Sequence, residues 1–122
     1  MSRKRLTKDE RMKVYNKYNG HCAYCGCELE YKDMQVDHID SIEMARMQGR
    51  IAEEDFCNYN PSCRQCNFYK GAWTLEQFRK HITSMLLPNL QKTFNYRLAL
   101  KYGLIKEDIK PVVFYFERKD HE

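Results

Sequence analysis

The sequence has 122 residues, of which 31% are charged, with a formal net charge of +4 and six cysteines. That length allows one modest core. No apolar run approaches the ~20 residues that cross a bilayer, and none resembles a secretory leader. The chain is therefore expected in a reducing cytoplasm, where six cysteines read as metal ligands and not as disulfides.

Arg3, Lys4 and Arg5 form a basic arm. Thr7 and Glu10 then make a capping box, and a helix is predicted to about Tyr18, stopped by Asn19-Gly20. A knuckle and short strands follow over residues 21–36. Met34, Val36 and Ile39 mark an extended segment that carries Asp37 and His38. Residues 40–57 read as a long loop with a helical turn near 42–47. Tyr59-Asn60-Pro61-Ser62 is extended or turn-like, because Pro61 biases the residue before it away from helix.

A helix is predicted over about 64–71. Another starts at Thr74, capped with Gln77, carries Leu75, Phe78 and Ile82 at helical spacing, and is expected to break at Pro88. Leu90, Phe94 and Leu98, four apart, predict a third helix over about 89–102, stopped by Gly103. Residues 112–116 read as a terminal strand. The predicted organisation is a basic arm and helix (1–19), a core (20–82), and a C-terminal helix-and-strand extension (83–122) packed on that core as part of one domain.

Two CxxC pairs, Cys22/Cys25 and Cys63/Cys66, carry the strongest chemical signal. Two intervening residues let the chain curl so that both thiolates meet one ion, and Gly26 suits the turn that closes such a knuckle. Four thiolates in a tetrahedron suit Zn2+ and form a closed structural site. An iron–sulfur cluster or a redox pair is the alternative. Cys27 competes with Cys25 as a ligand, with the glycine favouring Cys25. Cys27 and Cys57 are otherwise bystanders.

Between and beside the knuckles lie Asp37, His38, Asn58, Asn67 and Lys70. Phosphodiester hydrolysis needs an activated water, neutralised charge on the phosphorus oxygens and a stabilised leaving oxygen. An unperturbed imidazole, titrating near ~6.5, can take the proton from water at neutral pH. A carboxylate (Asp37) and an amide oxygen (Asn67) suit a hard cation such as Mg2+. Lys70, one turn after Asn67, is placed to reach a neighbouring phosphate. A zinc module that only binds nucleic acid or protein would keep the cysteines without needing Asp37, His38 and Asn67 together.

Over about residues 20–71, these motifs resemble an HNH endonuclease, of the ββα-metal nucleases. The resemblance rests on the Cys22/Cys25 knuckle, Val36-Asp37-His38-Ile39, Asn58-Tyr59, Cys63-Arg64-Gln65-Cys66-Asn67 and Lys70-Gly71. It implies an α+β fold with a ββα core stapled by the four cysteines. It further implies His38 as general base, Asp37 and Asn67 as ligands of a catalytic metal, and Asn58 as the residue that pins the loop and helps orient His38. Asn67 stands where the family name has its final histidine, which argues for Mg2+ or Mn2+ over softer metals. DNA, double-stranded by expectation, would be the partner. Arg64, Lys70 and the Arg3–Lys4–Arg5 arm are the expected contacts to it. A homodimer, and a phage packaging or mobile-element partner, are further expectations that this resemblance carries. Residues 83–122 lie outside it.

Overall fold

The computed structural model describes residues 5–118. Arg3 and Lys4 lie outside the described residues. The fold is α+β, with one two-stranded antiparallel sheet among the described residues. The chain divides into two compact units, one formed by residues up to 75 together with those from 113 on, the other by residues 76–112.

In the first unit, α1 (Lys8–Asn16) opens on the expected capping box. The Thr7 hydroxyl accepts from the Glu10 amide at 3.1 Å, and Glu10 accepts from the Thr7 amide at 2.9 Å. Asn19 and Gly20, both at positive φ (55° and 77°), end it. Lys17, just past the helix, donates to the Tyr59 carbonyl at 2.6 Å and so ties this end of α1 to the sheet.

Strand β1 (Gln35–His38) pairs with β2 (Tyr59–Ser62), with Asp37 opposite Asn60 and His38 opposite Tyr59. Pro61 costs the sheet nothing because two strands leave outer edges that need no donor, and its carbonyl accepts from Ala23 at 2.8 Å. Between the strands, α2 (Ile42–Met47) forms where the helical turn was expected, with the Ser41 hydroxyl capping Met44 at 2.9 Å. Helix α3 (Arg64–Lys70) follows β2 directly. The order β1, β2, α3 makes the ββα unit.

The first unit's core is unusually polar. Val14, Cys22, Ala23, Tyr24, Met34, Tyr59 and Phe114 are buried beside Asp37, Asn60, Ser62 and Lys70. Phe114 arrives from the far end of the chain and meets the Tyr24 ring edge-on at 5.3 Å.

Residues 112–116 do not form the expected strand. Phe114 is followed by a 3-10 turn, Tyr115–Glu117, and the amides of Tyr115 and Phe116 donate to Tyr24 and Ala23 at 3.0 and 2.8 Å. The β-branched and aromatic composition suits an extended chain, but its backbone partner is the knuckle, whose curled chain offers no ladder to extend.

The second unit contains α4 (Leu75–His81, begun at the boundary), a π-helical segment (Ile82–Leu86), α5 (Leu87–Gln91) and α6 (Phe94–Lys101). Pro88 was expected to break the first of these helices. Instead the preceding turn widens, with the Leu87 amide reaching the Ile82 carbonyl. Such a wide turn relieves the clash between the proline ring and the turn before it. The helix expected over 89–102 is accordingly two, separated at Thr93, which caps Tyr96 at 3.2 Å. Tyr96 and Gln91 both donate to Glu107, at 2.8 and 3.0 Å, holding the stretch after α6.

Candidate nuclease site and cysteine cluster

The four expected sulfurs converge. One ligand atom from each of Cys22, Cys25, Cys63 and Cys66 lies within 4.8 Å of all the others. Tetrahedral zinc with bonds of about 2.3 Å requires sulfurs roughly 3.8 Å apart; the Cys25–Cys63 separation is 3.9 Å. Backbone amides already point at the sulfurs, Tyr24 at Cys22 and Cys66 at Cys63, both at 3.4 Å. The Cys66 thiol beside it holds the Cys22 sulfur far below the ordinary thiol range, at about 4, against the opposing effect of burial. Cys66 is pushed up by that same hydrogen bond and by burial. Burial pushes Cys25 up as well, so a metal bound here displaces thiol protons. Cys25 and not Cys27 completes it. Cys27 and Cys57 are exposed and outside the cluster.

Gly26 closes the first knuckle at φ 82°, and a Cβ there would meet Tyr115 Cδ1 at 2.7 Å. Both the backbone conformation and the packed ring require glycine.

Beside this staple, β1 presents Asp37 and His38 and α3 presents Asn67. All three line one open pocket of about 370 Å³, together with Ser41 and Glu43. Asp37 is 5% exposed. Its carboxylate accepts from the Tyr24 hydroxyl and from Lys70 Nζ, the latter at 3.3 Å to Oδ1 and 3.2 Å to Oδ2. Burial pushes the Asp37 carboxyl above its ordinary range, against the opposing pull of the Lys70 ammonium and the Tyr24 hydroxyl. The Asp37 carboxylate in turn helps burial push the Tyr24 phenol up.

His38 sits with Nε2 2.5 Å from Glu54 Oε1 and its ring in a T-shaped contact with Tyr59 at 5.2 Å. The Asn58 side chain makes three hydrogen bonds. Its Oδ1 accepts from the Asp40 amide at 2.8 Å, and its Nδ2 donates to the carbonyls of Asp40 and Glu53 at 3.0 and 2.9 Å. It ties down both ends of the segment between the strands and does not itself bond the His38 ring.

Lys70 departs from its expected place. It was expected against a phosphate, but its side chain is fully buried, bonded to Asp37 and to the His38 carbonyl at 3.0 Å. Arg64, at the start of α3, and Arg5 are exposed. Sequence reasoning missed Tyr24, Glu54 and Glu43. Tyr24 lies inside the knuckle that frames Asp37, a usable signal. Glu54 is one acidic residue in a charged loop, with nothing local to single it out.

With this geometry in place, the comparisons are specific. The family model of the HNH endonuclease matches residues 22–72, from the first knuckle cysteine to just past α3. No curated protein matches the chain. Residues 22–72 thus match the HNH endonuclease family, over a ββα core and a four-cysteine cluster placed to hold a metal ion. Among the described residues, no helix is long and apolar enough to cross a membrane.

Proposed function

We propose that the chain is a metal-dependent endonuclease that hydrolyses phosphodiester bonds in double-stranded DNA, with structural zinc on Cys22, Cys25, Cys63 and Cys66. The observation that carries this reading is the common pocket of Asp37, His38 and Asn67. The donor set fits a hard cation: one carboxylate and one amide in an open pocket suit Mg2+ or Mn2+, which keep several water ligands. When bound there, such an ion supplies positive charge to the phosphate oxygens and to the leaving 3′ oxygen.

The chain's own residues do the rest. His38 takes the proton from the attacking water. Asp37 and Asn67 hold the cation. Lys70 and Tyr24 fix the Asp37 carboxylate from behind, a positioning role in place of the phosphate contact first expected of Lys70. Asn58 fastens the segment between the strands. Arg64 and Arg5, exposed, are the candidates for the DNA backbone, together with Arg3 and Lys4. Such contacts set register and carry no base sequence.

Relaxation of supercoiled plasmid with Mg2+ or Mn2+, by the wild type and by His38→Ala, tests the reading. The wild type is expected to nick and the variant to lose about 10²–10⁴-fold in rate. Asn67→Ala should raise the metal concentration needed and lower the rate together. Plasmid left intact by the wild type across several divalent metals, despite a full complement of zinc, would favour a non-catalytic binding module.

A further inference from the structure

The loop between α2 and β2 brings a carboxylate to the imidazole. Glu54 Oε1 lies 2.5 Å from His38 Nε2, with the glutamate side chain 28% exposed and the histidine 9%. The loop is anchored on both sides of Glu54. Asn58 Nδ2 holds the Glu53 carbonyl at 2.9 Å, and the Asp55 carboxylate caps the Cys57 amide at 3.1 Å. The Tyr59 ring meets the imidazole edge-on, with centroids 5.2 Å apart. His38 Nδ1 makes no hydrogen bond among the described residues.

An ionised carboxylate only accepts hydrogen bonds, and a neutral imidazole carries one N–H. Pairing with Glu54 therefore keeps that hydrogen on Nε2 and leaves the lone pair on Nδ1. We propose that Glu54 is a positioning residue that sets the tautomer and orientation of His38, and that Asn58 acts on the base through the Glu53 carbonyl. This rests on the reading of His38 as general base. In the step, Nδ1 takes a proton from water as the water oxygen bonds to phosphorus, and the P–O3′ bond breaks with its electron pair leaving on O3′. The resulting imidazolium shares its Nε2 hydrogen with Glu54, whose negative charge offsets the new positive one.

Two measurements test this on the full-length, zinc-loaded protein. The first is plasmid-nicking kinetics for Glu54→Ala and Glu54→Gln. Glu54→Ala is expected to lower kcat about 10–100-fold, the cost typical of losing such an orienting partner, with KM for DNA within about twofold. Glu54→Gln, which keeps an acceptor oxygen, should recover part of the loss. The second is the imidazole N–H signal of His38 in nitrogen-15-labelled protein, assigned by its loss in His38→Ala. A solvent-protected Nε2 hydrogen is expected in the wild type and in Asn67→Ala, weakened in Asn58→Ala and lost in Glu54→Ala. Wild-type kcat in Glu54→Ala, with its melting temperature and zinc content unchanged, would overturn the proposal, as would the absence of a protected Nε2 hydrogen. If the wild type cuts nothing, the nuclease reading fails, and the hydrogen signal still decides whether Glu54 fixes the ring.

Discussion

The Lys70 ammonium lies 3.2 Å from the Asp37 carboxylate with the lysine side chain fully buried and the aspartate 5% exposed. Two charges are taken out of water here, and each is tolerable only because of the other. Lys70→Met should therefore leave Asp37 uncompensated and lower stability by about 3–5 kcal/mol, read from the midpoint of urea unfolding. A loss under about 1 kcal/mol would mean that the carboxylate finds water.

The same burial makes a prediction about DNA. A lysine that touches phosphate contributes about one unit to the slope of log affinity against log salt. Arg64→Ala should lower that slope by about one unit, whereas Lys70→Met, tested below its melting temperature, should leave it unchanged. Equal effects from the two variants would return Lys70 to the phosphate.

The cysteine cluster should behave as a staple. Cys63→Ser is expected to lose bound zinc and cooperative unfolding together, and so is chelation of the wild type. Cys27→Ser and Cys57→Ser should keep one zinc per chain by metal analysis. Zinc lost from Cys27→Ser but kept in Cys25→Ser would exchange those two residues.

Gly26→Ala meets two obstacles, a positive φ and the ring of Tyr115. The backbone alone costs about 1–2 kcal/mol, and displacing a packed ring costs about 1–3 kcal/mol more. The double variant with Tyr115→Ala should recover the second part and not the first. Thermal melts of the single and double variants check this.

Asn58→Ala removes three hydrogen bonds that fasten the chain between the strands. The expected loss is about 1–3 kcal/mol, with earlier proteolysis between residues 48 and 57 as its local sign. Unfolding with no change in the cleavage pattern of limited proteolysis would mean that the loop is held elsewhere.

The parts of this molecule legible in its sequence are those set by short-range rules. Thr7 with Glu10, Asn19-Gly20, the CxxC spacing and the glycine after Cys25 each act within a few residues. The cysteines also announce one long-range fact, that residues 22–25 and 63–66 meet, and the ββα order follows from it. The illegible parts are pairings across the fold. Tyr24 with Asp37, Glu54 with His38 and Lys70 with Asp37 are 13, 16 and 33 residues apart. Each residue alone reads as an ordinary surface group. Pro88 misled because the rule that proline ends a helix assumes an α turn before it, and a π turn changes the geometry. The aromatic run at 114–116 misled because composition speaks of extended backbone and says nothing of which backbone it joins.

That last segment has a temporal consequence. The knuckle at residues 22–27 is synthesised some ninety positions before the amides of Tyr115 and Phe116 that buttress Ala23 and Tyr24. Domains made vectorially cannot close contacts to chain not yet synthesised. A growing polypeptide would thus hold its first cysteine pair half-supported until those later residues are made.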